Sequence, residues 1–399
     1  MNGTISIQID PDSIRRMTII KQRGVIVFKK AIPANTPFSD TISVPAGKYK
    51  ATCGFGQYKQ TVVLTVNAGD TVVYTGYSPP TPKWTFIISG DSQHGDAPGE
   101  PSDDYINTII FPEIVAAVVA ENPDLFLLAG DLIAGYQPDQ TTTGLELTQW
   151  LTYAQPLYDA GIIVRPIRGN HDANCANDMV VWNNYFADPT NPAHDTPTNG
   201  PTGEVGATYS FTYNNAFFMG IDQFTYNVPL GWYVNQPWID SQFAALDSAT
   251  TPHVFVFGHS APFAVHHTDS IQEHPTERDA LWLSIKNAGG RIHFSGHDHQ
   301  YSHQKITHPA DNGWKGTEVM HAVVAGSSGG TLYPCDAQSG GGIGGQPVNN
   351  GEFTVSQVAN VSNYGYTVVT INYRTVTVNF KQRTSPGVYT SYDTFSWTV

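Results

Sequence analysis

Positively charged residues are scarce in this sequence. Of its 399 residues, 20 are Lys or Arg and 34 are Asp or Glu, which gives a formal net charge of −14 at pH 7. A protein needs a basic surface to attract a polyanion, and no local basic patch is evident along the chain. We therefore expect no nucleic-acid polymer among its partners.

Cysteine is rarer still. The three cysteines, Cys53, Cys175 and Cys335, are far apart and odd in number. This number and spacing exclude both a disulfide framework and a zinc site built from cysteine pairs. We interpret all three as buried or incidental residues.

Long apolar runs are missing as well. No stretch approaches the ~20 apolar residues that span a bilayer, and the N-terminal sequence MNGTISIQIDPDS lacks the basic and apolar segments of a signal peptide. We expect a soluble chain without a membrane partner. A composition rich in Thr, Asn, Gly and Tyr and poor in charge is compatible with export, which leaves the compartment open.

The length of the chain predicts two domains, because one hydrophobic core seldom organises 399 residues. Residues 1–80 consist of short β-branched runs separated by turn residues, which indicates an all-β sandwich. The segment Ser78–Lys83 contains three prolines in six residues, which stiffen a connection and cannot continue a sheet. We place the boundary there, with an N-terminal β-sandwich domain at 1–80 and a larger domain at 81–399.

The larger domain alternates strands with helices. The helix PEIVAAVVAEN carries Pro112 in its first turn, and the helix LELTQWLTYAQPLYDAG is expected to break at Pro156. Repeated β-α-β units of this kind indicate an α/β fold with a largely parallel sheet covered by helices. The last third is strand-rich, and the glycine-rich segment Gln338–Gly351 is expected to be a mobile loop.

Residues of metal-ligating types follow the apolar strands of this domain. They are Asp91 after FIISG, Asp131 after LFLLAG, Asn170 and His171 after VRPIRG, His259 after VFVFG, and His297 and His299 after IHFSG. Because the carboxyl ends of parallel strands line one crevice, we expect these residues to converge in space. A single Asp or His at a strand end often only begins a turn, but five such strand ends favour one shared site.

At these strand ends the sequence resembles the calcineurin-like metallophosphoesterases, which include the purple acid phosphatases. The motifs are GDSQH at Gly90–His94, GDL at Gly130–Leu132, GNHD at Gly169–Asp172, GHSAP at Gly258–Pro262 and GHDH at Gly296–His299. The resemblance extends roughly from Trp84 to the C terminus. It implies an α/β fold with a helix-flanked β-sandwich core in αββα layers, separate from the N-terminal all-β sandwich domain.

The resemblance also implies a dinuclear metal centre and a reaction. Asp131 would bridge both metal ions, Asp91 and His299 would bind the first, and Asn170, His259 and His297 would bind the second. His171 would act as an acid or contact the phosphate, with Asp172 orienting it. The implied enzyme is a phosphatase or phosphodiesterase that hydrolyses a small phosphomonoester or phosphodiester by attack of a metal-bound hydroxide.

The chemistry of these residue types agrees with the resemblance. Oxygen and imidazole ligands without thiolate suit two divalent or mixed-valence transition metal ions such as Mn, Fe or Zn. A shared carboxylate offsets the repulsion between cations ~3.5–4 Å apart, and metal binding lowers the pKa of water towards ~7. Asp172 beside His171 would favour the protonated imidazole, which can donate to the leaving oxygen; the alternative for Asp172 is a helix or turn cap.

The sequence departs from the family pattern at two positions. Purple acid phosphatases place a metal-binding tyrosine where this chain has Ala134. Tyr136 follows two residues later and is a candidate for contact with the metal or the substrate, as is His94. Other branches place a histidine where this chain has Gln93. On an extended stretch Gln93 points into the crevice and His94 points away, whereas a bulge after Gly90 would reverse this choice.

Other histidines lie near the motifs. His266, His267 and His274 follow His259 closely, and Tyr301 and His303 follow His299. Each of these side chains either contacts the substrate or belongs to a solvated loop.

A binding protein is the alternative to the enzyme. In that interpretation the β-sandwich attaches to a glycan or a protein, and the larger domain is a metal-stabilised fold with weak or no catalysis. Gln93 and Ala134 favour this alternative slightly, whereas the intact GNHD and GHDH motifs favour the enzyme.

Overall fold

The computed structural model describes most of the chain. The described residues are 2–9, 16–32, 37–55, 58–75, 83–95, 105–135, 139–187, 195–225, 233–248, 251–263, 265–267, 269–335 and 351–399. Tyr136 and residues 338–350 of the glycine-rich segment lie outside them. The chain divides into two compact units, Met1–Pro82 and Lys83–Val399. That these units are separate domains stays a prediction.

The first unit is an all-β sandwich, as expected. Its strands are β1 Asn2–Ile9, β2 Arg16–Gln22, β3 Val25–Ile32, β4 Phe38–Pro45, β5 Gly47–Phe55, β6 Tyr58–Val66 and β7 Thr71–Tyr74. They form a three-stranded sheet in the order β4-β1-β7 and a four-stranded sheet in the order β3-β2-β5-β6. Alternate residues of the strands point inward, and Ile5 and Ile7 of one sheet share a core with Ile20, Tyr49 and Ala51 of the other.

The second unit contains five helices and thirteen strands among its described residues. In chain order these are β8 Lys83–Ser89, α1 Ile110–Glu121, β9 Leu125–Ala129, α2 Gln140–Asp159, β10 Ile163–Ile167, α3 Asp178–Phe186, β11 Tyr209–Tyr213, β12 Ala216–Ile221, α4 Gln236–Ala244, β13 His253–Gly258, α5 Pro275–Asn287, β14 Ile292–Ser295, β15 Tyr301–Thr307, β16 Met320–Ala325, β17 Thr354–Val361, β18 Gly365–Asn372, β19 Thr375–Ser385 and β20 Val388–Thr398. A short 3-10 helix, Ile271–Glu273, precedes α5.

Two mixed sheets organise the second unit. One has the strand order β10-β9-β8-β18-β19-β20 and the other β11-β12-β13-β14-β16-β15-β17. The β-α-β pattern predicted a largely parallel sheet, whereas both sheets are mixed, with parallel and antiparallel strands. After β10 the chain starts a second sheet, and β18–β20 return to pair antiparallel beside β8. The αββα layering that the resemblance implied is confirmed.

The layers follow from where the apolar side chains lie. An aromatic-rich core between the sheets includes Phe86, Phe218, Phe255 and Phe294, and their rings pack mostly edge to face. Helices α1, α2 and α3 cover the outer face of the first sheet. Helices α4 and α5 cover the outer face of the second. Both sheets are thus buried on both faces, which explains their nearly continuous apolar strands.

Two helix predictions have different outcomes. Pro112 lies in the first turn of α1, as expected. Asp139 caps the N terminus of α2, where its side chain accepts hydrogen bonds from two backbone N–H groups of the first turn. The predicted break at Pro156 is wrong, because α2 continues through this proline for one more turn to Asp159, although the proline has no N–H to donate to the carbonyl of Thr152. No helix in the described ranges is long and apolar enough to cross a bilayer.

Candidate metal centre

The strand ends of both sheets supply one group of polar side chains. Asp91, Asp131 and Asn170 follow β8, β9 and β10 of the first sheet, and His259, His297 and His299 follow β13 and β14 of the second. The backbone N–H of Asp91 donates to the carbonyl of Gly130 (2.9 Å), and that of Gly296 donates to the carbonyl of His259 (3.0 Å). These contacts tie neighbouring strand ends together within each sheet. The residues expected to converge are therefore close together.

Two clusters of potential ligands share Asp131. One consists of Asp131, His259 and His297, the other of Asp91, Asp131 and His299, and the donor atoms of each lie within 4.8 Å of one another. Nε2 of His259 lies 3.2 Å from Oδ2 of Asp131, and Nε2 of His299 lies 3.5 Å from Oδ1 of Asp91. Oδ1 of Asn170 lies 3.1 Å from Nε2 of His259, which adds an amide oxygen to the first cluster.

The backbone at this site is held in unusual conformations. Asp91, Asp131 and His297 have φ angles of 61°, 53° and 69°, a left-handed region that costs a non-glycine residue roughly 1–2 kcal/mol. Space is equally restricted, because a Cβ added at Gly169 would collide with Oδ1 of Asp131. Strain of this kind persists only where the surrounding structure enforces it, and it is concentrated at functional sites.

Backbone carbonyls orient two of the imidazoles. Nδ1 of His259 lies 2.7 Å from the carbonyl oxygen of Ala129, and Nδ1 of His299 lies 2.9 Å from that of Thr331. Because a carbonyl only accepts, each Nδ1 carries the hydrogen and donates. In the neutral ring of His299 the lone pair of Nε2 then faces the carboxylates, and the ring of His259 takes the same orientation once Nε2 has lost its proton, the arrangement of a histidine prepared to bind metal.

Burial and charge act in opposite directions on the carboxylates. Burial raises the pKa of Asp91 well above its usual range. Burial acts on Asp131 in the same direction, but the attraction of His259 and His171 outweighs it and lowers the pKa of Asp131 below its usual range. Two carboxylates are therefore buried side by side, a costly arrangement that a cation relieves.

The same burial and charges shift the pKa values of the histidines. Burial lowers the pKa of His299 to about 4 and also lowers that of His297, so both rings are neutral at pH 7. Burial would also lower the pKa of His259, but the charge of Asp131 raises it to about 10. Metal binding to His259 must therefore displace a proton, whereas the other two rings are ready to coordinate.

The side chains present fit metal ions. Oδ2 of Asp91 and Oε1 of Gln93 are buried without a hydrogen-bond partner in the part of the chain that the structure describes. An acceptor left in this way costs about 1–3 kcal/mol unless a cation or donor reaches it. Carboxylate, amide and imidazole donors without thiolate suit transition metal ions such as Mn, Fe or Zn.

Gln93 lies at the site and is 3% exposed. Its Nε2 is 3.2 Å from Oδ2 of Asp131 and 3.1 Å from Nε2 of His299. A half-turn of the amide would direct its oxygen to the same position. His94 belongs to none of the ligand clusters found among the described residues. The role of Gln93 as a ligand stays a prediction.

His171 borders the crevice with a side chain that is 40% exposed. Its Nδ1 lies 2.5 Å from the carbonyl oxygen of Ala134, and its backbone N–H donates to Oδ1 of Asp131 (2.9 Å). Asp172 instead accepts hydrogen bonds from the backbone N–H groups of Leu132 (3.0 Å) and Gly169 (2.8 Å). Asp172 is thus hydrogen-bonded as a turn cap, the alternative considered for it, and the ring of His171 is held by the Ala134 carbonyl. The catalytic roles of both residues stay predictions. Burial, followed by the charge of Asp131, raises the pKa of Asp172 to about 7.

Sequence reasoning missed three residues beside the centre. Asp298 is buried and accepts hydrogen bonds from backbone N–H groups of residues 265–267 and from the His267 ring (3.0 Å). Tyr333 stacks on His299 with the ring centroids 4.5 Å apart, and Asp269 lies 3.2 Å from Nε2 of His297. The Asp of GHDH was a visible signal, whereas nothing in the local sequence distinguished Tyr333 or Asp269.

The remaining histidines divide between crevice and core. The His267 ring stacks on His297 at 4.0 Å, and the His266 ring stacks on Tyr333 at 4.3 Å, so both line the crevice. His274 precedes the first residue of α5. His303 is buried in β15 and is hydrogen-bonded to Asp393 and His321, and Tyr301 also donates to Asp393. These last two side chains belong to the protein interior, because β15 enters the sheet directly after the GHDH motif.

Known proteins share the fold of this chain. A search of curated protein sequences found no match. The solved structure of purple acid phosphatase PPD1 from yellow lupin (Lupinus luteus) seeds is similar, with a TM-score of 0.57 and 14% identity over 97% of this chain and 70% of that one. The structure of PhoD is similar with a TM-score of 0.53 and 12% identity over 97% of this chain and 84% of that one. At such identities the likeness establishes the fold alone. The calcineurin-like phosphoesterase family model matches residues 84–301, more than half of the chain, and the chain therefore belongs to that family.

Proposed function

We propose that the chain hydrolyses phosphoesters with two metal ions that share Asp131. The observation that carries this proposal is the pair of ligand clusters with one carboxylate in common. A carboxylate between two cations offsets their mutual repulsion, and no other side chain belongs to both clusters of this pair. The family assignment supports a metal-dependent phosphoesterase of this type.

We assign the ligands by cluster. Asp91, His299 and the amide of Gln93 would hold one ion, Asn170, His259 and His297 would hold the other, and Asp131 would contact both. When bound, the ions would activate water and hold the phosphoryl oxygens for displacement. The protein's own contribution is a set of donors fixed by backbone carbonyls, by left-handed turns and by burial.

His171 would donate a proton to the leaving oxygen. Its Nδ1 donates to the Ala134 carbonyl, so the ring is fixed with Nε2 directed to the crevice, 3.9 Å from Oδ2 of Asp131. A protonated Nε2 there donates to the oxygen that leaves, and a neutral Nε2 accepts a hydrogen bond from the substrate or from water. The exposed ring fits this role, because the transferred proton must reach solvent in each cycle.

The substrate we propose is a small phosphomonoester or phosphodiester. The ring of Tyr333 stacks on that of His266 and meets that of His267 edge to face at the edge of the crevice, and these rings offer a surface for the organic part of such a molecule. Asp269 is partly exposed beside them, which disfavours a substrate with several negative charges near that edge.

Metal removal and reconstitution test the proposal. The chain is treated with a chelator, supplied with Mn, Fe or Zn, and assayed with an aryl phosphate and with a bis-aryl phosphodiester. Activity should disappear with the metal and return with at least one ion, together with metal binding that exceeds one ion per chain. Full metal binding without turnover of either ester would contradict the enzyme and support the metal-stabilised binding protein. The relative rates on the two esters decide between a phosphatase and a phosphodiesterase.

A further inference from the structure

Charge is distributed very unevenly along the chain. Residues 1–82 contain nine Lys or Arg and four Asp or Glu, whereas the rest of the chain contains eleven and thirty. The first unit is thus basic in a protein whose net charge is −14. The asymmetry is concentrated further, because the two segments Arg16–Ile32 and Gly47–Val66, which form the four-stranded sheet, contain eight Lys or Arg and no Asp or Glu.

Lys21, Lys48 and Lys50 lie on the solvent-facing side of this sheet. Strand pairing places Ile26 opposite Lys21, Lys21 opposite Lys50, and Lys50 opposite Val63, so these four residues form a row across all four strands. All four side chains are exposed, while their neighbours Ile20 and Ala51 point into the core. The row borders a groove of about 510 Å³, which is also lined by Arg23 and Lys48. We call this surface the basic face.

The basic face is unfavourable for the folded protein alone. Like charges directly opposite each other on adjacent strands are destabilising, and Lys21 opposite Lys50 is such a pair. Lysines often protect the edge strands of sheets from aggregation, but Lys21 and Lys50 lie on the two central strands. Edge protection therefore does not explain them, and a ligand that is negatively charged does.

Exposed aliphatic side chains accompany the lysines. Val25 and Ile26 at the β2–β3 turn are 67% and 48% exposed, and Val63 at the other end of the row is 60% exposed. Among the described side chains of these four strands, no aromatic ring is exposed. Nucleic-acid bases are usually held by stacking on aromatic rings, whereas lysines with aliphatic neighbours suit the interface between lipid headgroups and acyl chains.

We propose that the basic face docks on an anionic phospholipid surface. The lysines and Arg23 would contact lipid phosphates, and Val25, Ile26 and Val63 would enter the boundary between headgroups and acyl chains. The expectation that the chain has no membrane partner rested on the absence of a spanning segment, which does not exclude a peripheral contact of this kind.

Vesicle binding by the full-length chain tests the proposal. The probes are vesicles of phosphatidylcholine and vesicles of phosphatidylcholine with phosphatidylserine in a ratio of about 2:1. The chain should sediment with the anionic vesicles and remain in solution with the neutral ones, and binding should fall as salt is raised. Hydrolysis of soluble esters should be unchanged in all variants of this face, which separates this test from that of the proposed function.

A matched pair of double variants locates the contact. Lys21→Gln with Lys50→Gln removes two charges from the basic face and should weaken vesicle binding roughly 30-fold, since each lysine near an anionic surface contributes about fivefold. Lys305→Gln with Lys315→Gln removes two exposed charges from the second unit and should bind like the wild type. Ile26→Ser with Val63→Ser should weaken the part of binding that persists at high salt. Thermal unfolding of each variant verifies that the sandwich remains folded.

Several outcomes would overturn the proposal. If the wild type remains in solution with anionic vesicles, the basic face is not a lipid-docking surface. The same conclusion follows if the two lysine double variants bind the vesicles equally well. Binding to heparin with no binding to vesicles would assign the surface to a soluble anionic polymer. Salt-sensitive dimers that the Lys21 and Lys50 substitutions dissociate, again without vesicle binding, would assign it to the acidic unit of a second copy.

Discussion

The backbone N–H of His297 donates a hydrogen bond to Oδ1 of Asp91 over 2.9 Å, and this contact joins the two sheets of the second unit. Asp91 follows β8 in the first sheet and His297 follows β14 in the second. Both residues are in the left-handed backbone region, so the turn after each strand is fixed in the conformation that allows the bond. Neither sheet carries a complete set of ligands, and the geometry of the centre therefore depends on how the two sheets pack.

The absence of a side chain at Gly169 should be essential for the metal centre. In Gly169→Ala the added Cβ would collide with Oδ1 of Asp131, which must move or rotate away from both clusters. We expect loss of bound metal and of activity, although no polar atom is removed. The matched control is Gly161→Ala, where the φ of +74° strains the new residue but nothing lies within 4 Å of the added Cβ. The control should lose about 1 kcal/mol of stability and keep its metal.

Because Asp131 belongs to both clusters, its substitution should lower both the activity and the metal content at both positions. Asp131→Asn should reduce phosphoester hydrolysis at least about 100-fold and lower the metal content at both positions, because a neutral amide attracts cations less than a carboxylate does. Metal analysis and steady-state kinetics on the same preparation measure both effects. Asp159→Asn, at an exposed carboxylate hydrogen-bonded to Gln155, is the control. Loss of only one ion from the Asp131 variant would show that the carboxylate is not shared.

Substitution of His171 should lower kcat and leave the metal content unchanged. His171→Ala removes a ring that is held by the Ala134 carbonyl and is 40% exposed, and we expect kcat to fall roughly 10²–10⁴-fold with normal metal content. The loss should be larger for an alkyl phosphate than for an aryl phosphate, because the poorer leaving group needs the proton more. Metal loss in this variant, or equal effects on both esters, would contradict a role in protonation.

Most of the second unit could be predicted from the sequence, because each strand end carries its own local signal. An apolar run followed by Gly-Asp, Gly-Asn-His or Gly-His identifies the end of a strand and its ligand together. The number of sheets could not be predicted in this way. The return of β18 beside β8 depends on pairing between residues almost 300 positions apart, which no local pattern encodes.

Residues that act through tertiary contacts were harder to foresee. Tyr333 stacks on His299 from a segment without a motif, and the Ala134 carbonyl, a backbone atom, takes the orienting role expected of Asp172. The basic face was missed for a related reason. Its lysines alternate with core residues in separate strands, so no run of positive charge exists in the sequence, and only the pairing of β2 with β5 brings Lys21 beside Lys50.

Asp298 should make stability depend on pH in the metal-free protein. Burial alone would raise its pKa, but the hydrogen bond and charge of His267 and the backbone N–H of Val265 lower it to about 2. A carboxyl whose pKa is lower in the folded state stabilises the fold above its unfolded pKa of about 4, and this contribution is lost as the pH falls towards 2. Near pH 6 we expect Asp298→Asn to reduce the free energy of unfolding by about 2 kcal/mol. The difference in unfolding free energy between Asp298→Asn and the wild type should shrink below pH 4. The control Asp159→Asn should show no such dependence on pH. A difference that stays constant with pH would mean that Asp298→Asn only disturbs packing.

The final prediction concerns the amide of Gln93. Its Nε2 lies near Asp131 and His299, and its oxygen is buried without a hydrogen-bond partner among the described residues. A cation at this position would favour the rotated amide, with the oxygen directed to the ion. Gln93→Ala should therefore weaken one of the two metal sites about 10-fold or more, and Gln93→His should restore or strengthen it, because imidazole is the better ligand for most transition metals. His94→Ala is the matched control and should leave both titration midpoints unchanged. If the His94 variant alone loses a metal, the histidine is the ligand and the turn after Gly90 must rearrange when the ion binds.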